Sequence, residues 1–160
     1  MYKNYLLDNG VQQEQITYIN LEEKENDNLK NADNLYYFIK DQLIQDKMNY
    51  IFIDEVQECV NFQEAVNSLF VKENVDIYIT GSNAHMLSGE LATFLSGRYV
   101  TIEMLPLSFE EYLNGTNKDN IEMKFRDYLK FGSFPFILNF SGNEEQIANY
   151  LDGLYNTIFK

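Results

Sequence analysis

The sequence predicts an α/β fold, with helices layered on a parallel sheet. Three observations carry this. Tyr50-Ile51-Phe52-Ile53 is an unbroken apolar run, the mark of a strand buried on both faces of a parallel sheet. Val75-Asp76-Ile77-Tyr78-Ile79-Thr80 is a further β-rich run. Between them Phe62, Val66, Leu69 and Phe70 recur at helical spacing, the order that connects parallel strands.

Composition sets the limits. A chain of 160 residues suits one domain, and 45% apolar with 15% aromatic residues is too hydrophobic for a disordered segment. With 25 acidic and 12 basic side chains the net charge is -13, which argues against a nucleic-acid surface. The single cysteine, Cys59, excludes an intrachain disulfide, and the single histidine, His85, excludes a His-rich zinc site. No apolar run approaches the roughly 18 residues of a membrane span. No signal-type apolar region follows Met1-Tyr2-Lys3-Asn4. The expected compartment is the cytoplasm, with no membrane partner.

Each element follows from local pattern. Tyr2, Tyr5 and Leu6 share a face of an opening helix that Asn9-Gly10 stops. Ile16 to Leu21 alternates as a strand. Residues 22–34 are charged and Asn-rich and read as a solvated connection. Leu35, Phe38, Ile39 and Leu43 define a helix with Asp33 as its N-cap. Asn61-Phe62-Gln63-Glu64 has the form of a capping box opening the next helix. After the strand 75–80, Gly81-Ser82-Asn83 makes a turn. Ser88 can cap a short helix through Leu91, Ala92 and Leu95, stopped by Gly97, and Tyr99-Val100-Thr101-Ile102-Glu103 reads as a fourth strand. Ser108 and Glu111 form another capping box. Ile121 to Phe131 is helical with Gly132 as its stop. Ile147, Tyr150, Leu151, Leu154, Tyr155 and Ile158 make a final helical stripe.

Ile51-Phe52-Ile53-Asp54-Glu55 carries the sharpest chemical signal. An apolar strand ending in two acids has the form of a Walker B element. Ligands bind at the C-terminal edge of parallel sheets. One carboxylate there can hold Mg²⁺, and a second can orient and deprotonate water. The pentapeptide alone fits equally well a strand that simply exits to solvent. Thr80-Gly81-Ser82-Asn83 brings small polar groups to the end of the next strand, where an ordinary turn would use the same residues. Arg98, one of the chain's two arginines, follows Gly97 at a helix-to-strand corner, a common place for a surface arginine. His85 and Cys59 are weaker candidates, since a catalytic thiol at Cys59 would have only His85 as a base. Phe131, Phe134, Phe136 and Phe140 form an aromatic cluster that would suit a partner surface, although such clusters are usually core.

Taken in order, Tyr18 to Glu22, Tyr50 to Gln57, Ile77 to Asn83, Leu87 to Thr93, Leu95 to Tyr99 and Leu105 to Tyr112 resemble the AAA+ branch of P-loop ATPases. More closely, they resemble its prokaryotic members that carry a C-terminal domain of unknown function. The resemblance implies ATP and Mg²⁺ as cofactors. It implies Asp54 as the Mg²⁺-associated acid and Glu55 as the catalytic glutamate. Asn83 would be the sensor that contacts nucleotide, with Ser82 beside it, and Arg98 an arginine finger. Residues 1–113 would be a partial ATPase core and 114–160 a helical lid or linker. Partners would be further copies or neighbouring ATPase subunits.

The chain departs from that family in one respect. It has eight glycines but no Gly-Lys pair and no Gly-x-x-x-x-Gly-Lys-Ser/Thr loop, whose backbone amides cradle phosphates. The expectation is therefore an incomplete P-loop NTPase-type sheet, inactive alone, from a truncated gene, a split gene or a cut piece of a larger ATPase. The alternatives are a non-catalytic module that regulates intact subunits, or a gene remnant. The resemblance also implies that the phosphate-loop strand would stand between strand 75–80 and strand 98–103. Without it those two should pair directly or flank an open slot.

Overall fold

A computed structural model describes residues 2–81, 98–116, 120–140 and 142–158. They divide into two compact units, Met1–Val100 and Thr101–Lys160.

The first unit is α/β. Its helices are α1 (Tyr2–Asp8), α2 (Ala32–Gln42) and α3 (Phe62–Phe70), and its strands are β1 (Ile16–Asn20), β2 (Asn49–Asp54) and β3 (Val75–Ile79). The three strands form a wholly parallel sheet in the order β1-β2-β3, with Ile51 level with Thr17 and Ile77. Side chains alternate across a strand, so the sheet has two distinct faces. Ile19, Ile51, Ile53 and Ile77 point to one, where Leu35 and Ile39 of α2 and Phe62, Val66 and Leu69 of α3 complete the core. Phe52 and Tyr78 stack on the other face at 4.8 Å, and the Tyr2 ring of α1 lies 5.1 Å from that of Tyr78. Helices thus flank both faces, the layering expected for a P-loop NTPase-like fold.

Four local expectations are corrected. The connection 22–34 contains a 3-10 helix, Lys24–Leu29, which buries Leu29. Asn31, not Asp33, caps α2: its Oδ1 accepts from the amides of Asp33 at 3.0 Å and Asn34 at 3.5 Å. Asn61 makes no side-chain cap, because it sits in the left-handed region at φ 57°, whereas a capping side chain is aimed by extended backbone. The fourth strand, Tyr99–Glu103, does not form. Val100, Ile102, Met104 and Leu105 are 73–87% exposed, and residues 98–105 pair with no described strand, β3 included. β-propensity describes fit to a half-buried pleated surface, and without a neighbour to supply that surface the pattern specifies nothing.

The second unit is helical: α4 (Phe109–Gly115), α5 (Ile121–Phe131), a 3-10 segment Pro135–Phe140 and α6 (Glu144–Ile158). The Ser108–Glu111 capping box forms as its sequence requires. Gly132, at φ +78°, ends α5 with its amide on the Tyr128 carbonyl. Phe131, Ile137 and Ile147 are buried together, with Phe140, Tyr150 and Leu151 packed around them. Of the expected aromatic cluster, Phe131 and Phe140 thus belong to the core, while Phe134 and Phe136 stay about half exposed. Among the described residues no helix is long and apolar enough to cross a membrane.

Candidate functional site

Asp54 is the last residue of the central strand, at the C-terminal edge of the sheet. Parallel pairing aligns the ends of its neighbours with it. Thr80 falls next in register beyond Ile53↔Ile79, and its hydroxyl donates to Asp54 Oδ1 at 2.9 Å. Tyr18 sits level with Phe52, two residues back on β1, and its long side chain reaches diagonally to donate to Asp54 Oδ2 at 2.5 Å. Both carboxylate oxygens are therefore held, one from each flanking strand. The Asp54 hydrogen bond is the largest of the effects that push the Tyr18 phenol up to about 12, so Tyr18 stays a neutral donor at ordinary pH.

Glu55 leaves the strand by a sharp turn. Its backbone is left-handed, φ 53° and ψ 51°, a conformation a non-glycine residue adopts at a cost of about 1–3 kcal/mol. The surrounding ladder imposes it. The Leu21 amide bonds the Asp54 carbonyl, the Thr80 amide bonds the Ile53 carbonyl, and the Val56 amide bonds the Thr80 carbonyl, each at 3.0–3.1 Å. The Glu55 side chain thereby leaves the strand's alternation, and the Gln57 amide donates to its Oε2 at 2.5 Å.

The other candidates fall elsewhere. Ser82, Asn83 and His85 lie outside the described residues. Arg98 rests against α3: its Nη2 donates to Asn67 Oδ1 at 3.4 Å, and its guanidinium lies 5.4 Å from the Phe70 ring centre. Because α3 carries the chain back to the start of β3, these late α3 residues lie away from the edge that bears Asp54. The structure brings Asp54, Glu55 and Thr80 together and does not bring Arg98 to them. Cys59 is buried, and burial pushes its thiol up to about 11, so it is no nucleophile at neutral pH. Tyr18 is the site residue that motif reasoning missed. Parallel register between strands 16–20 and 50–54 was the signal that could have found it.

The donor set fits Mg²⁺ modestly. An ionised carboxylate has about four lone-pair sites, and two hydroxyls occupy two of them on Asp54. The remainder can hold one cation or its water. Among the described residues no cluster of three potential ligands exists. Nothing in the chain's glycine pattern supplies a phosphate cradle.

Residues 1–113 match the profile of the AAA domain. An uncharacterised protein of Haemophilus influenzae is 41% identical over 167 residues, which cover 98% of this chain and 40% of that protein. An uncharacterised protein of Methanocaldococcus jannaschii is 32% identical over 152 residues, covering 86% of this chain and 34% of its own. The chain thus spans well under half the length of these curated relatives. No solved structure matches.

Proposed function

This chain belongs to the AAA domain family of P-loop ATPases, and from that premise we propose that it supplies the cation- and water-handling half of an ATP-hydrolysing site. The observation that carries the reading is the Asp54 carboxylate, fixed at the C-terminal edge of the central strand by a hydroxyl from each neighbour, with Glu55 turned out beside it. In this role Asp54 holds Mg²⁺ or a water of its shell. Bound Mg²⁺ offsets negative charge on the phosphates during transfer. Glu55 orients the attacking water and takes its proton. Ser82 and Asn83, which follow Thr80-Gly81 in the sequence, contact the nucleotide. Arg98, which rests against Asn67 and Phe70 of α3, serves a neighbouring subunit's nucleotide. Contacts to the β- and γ-phosphates come from residues outside these 160.

The test is ATP turnover by the longer relative from Haemophilus influenzae beside this chain. In the relative, replacing the residue aligned with Glu55, expected to be an acid, by Gln lowers kcat by about 10²–10⁴ while ATP still binds, the range for removing a general base. The 160-residue chain turns over no more ATP than its Glu55→Gln variant. Unchanged turnover in the relative's variant would sink the reading.

A further inference from the structure

We propose that Tyr18 is a positioning residue for Asp54: with Thr80 it locks the carboxylate into one rotamer, so that only the remaining lone pairs are offered to a divalent cation. This rests on the reading of Asp54 given above and extends it to a residue outside the acidic motif.

An aspartate at a strand end has few steric constraints. Asp54 is only half-buried, so packing alone does not fix its χ1. Two hydroxyls do. Tyr18 reaches Oδ2 from β1 and Thr80 reaches Oδ1 from β3, at 2.5 Å and 2.9 Å, so rotation about either side-chain bond breaks at least one hydrogen bond. Both donors have defined starting points. The Thr80 backbone continues the sheet ladder through its amide and carbonyl. The Tyr18 ring is held by its strand, and the Lys3 ammonium lies 5.9 Å from the ring centre. Tyr18 is half-exposed, contributes little to the core, and spends its hydroxyl on the carboxylate. Hydrogen bonds to an ionised acceptor are about twice as strong as neutral ones. The carboxylate is thus pre-set before any cation arrives, which removes a reorganisation step from binding.

Isotope-labelled chain at neutral pH gives two separate readouts. The first is the Asp54 χ1 rotamer from three-bond couplings. Wild type shows one rotamer. Tyr18→Phe, which keeps the ring and loses only the hydroxyl, shows averaged couplings, as does Thr80→Val. Thr80→Ser restores the single rotamer. The midpoint of thermal unfolding confirms that all three variants remain folded. A single rotamer retained in Tyr18→Phe overturns the proposal, because Asp54 would then be fixed without the Tyr18 hydroxyl. The second readout is Mg²⁺ titration of wild type, which shifts the Asp54 and Glu55 amide resonances and has no such effect in Asp54→Asn. Absence of that shift in wild type defeats the cation role of Asp54, while the couplings still decide whether Tyr18 positions it.

Discussion

Asn49 and Asn74 stand side by side at the end of the sheet opposite Asp54, and both donate side-chain amide protons to the carbonyls of Ile44 and Lys47. Asn49 is 2% exposed, and its Oδ1 also accepts from the Ile44 amide at 2.9 Å. Its backbone amide bonds the Asn74 carbonyl at 2.8 Å. Two loops are joined through one buried amide. Asn49→Ala leaves the Ile44 amide without its acceptor, while the Ile44 and Lys47 carbonyls keep only the Asn74 donor. Urea unfolding is expected to show a loss of about 1–3 kcal/mol, with an unchanged slope. A loss near zero would mean that water replaces the amide fully.

At Glu55 stability and chemistry oppose each other. Its left-handed backbone suits glycine. Glu55→Gly should therefore raise unfolding stability, or leave it level, by about 0–1 kcal/mol after the entropy of the unfolded glycine is counted. Glu55→Ala gains nothing, because it keeps a Cβ. Equal stability changes in the two variants would show that backbone strain is not the cause.

The Ser108 cap gives a pH signature. The Ser108 hydroxyl and amide both donate to the Glu111 carboxylate and hold it below the usual glutamate range. A depressed folded value means that the unfolded chain binds protons first. This contribution to α4 is complete above the ordinary value of 4.5 and fades as pH falls through the lower folded value. Ser108→Ala should cost about 1 kcal/mol at neutral pH and flatten that acid dependence. An acid limb that stays the same in the variant would assign it to other carboxylates.

Cys59 should be silent in the folded chain. Its thiol is buried and raised to about 11. Alkylation by iodoacetamide at pH 8 should follow global opening and accelerate with urea. The unfolded thiol ionises near its ordinary 9.0, so stability also declines as pH rises from there toward 11. Fast labelling without denaturant would show that the loop around Cys59 opens locally.

Arg98 separates two roles. Its stacking on Phe70 is worth about 0.5–1 kcal/mol at an exposed site, and Arg98→Ala should lose at least that, with the Asn67 hydrogen bond gone as well. Mixing supplies the other measurement: the chain is added to a longer relative that lacks its own equivalent arginine. Rescue of ATP turnover by wild type and not by Arg98→Ala marks a finger in trans. Equal behaviour of the two leaves Arg98 a purely local contact.

Sequence pattern revealed the fold wherever one residue type has one physical use. The run Tyr50–Ile53 formed the central strand, fully buried at Ile51 and Ile53 and partly covered at Tyr50 and Phe52, the Ser108–Glu111 spacing opened a helix, and Gly132 closed one. Asn and Asp resisted the same treatment. Asn31 caps, Asn61 turns left-handed and Asn49 knits loops, and the side chain is equally suited to all three. The Tyr99–Glu103 pattern misled because a strand needs a partner that its own residues do not encode. In the candidate site, Asp54 and Glu55 were visible as a local motif. Tyr18 was not, because its contact exists only once β1 and β2 are paired in register.

The open side of β3 has a practical consequence for handling the protein. Among the described residues nothing pairs with that edge, and at a net charge of -13 two copies of the chain repel one another. That repulsion reaches about 10 Å at 0.1 M salt and only about 3 Å at 1 M. Dilute buffers should therefore keep the chain dispersed, and concentrated brine should make it turbid, the reverse of proteins that salt helps to dissolve.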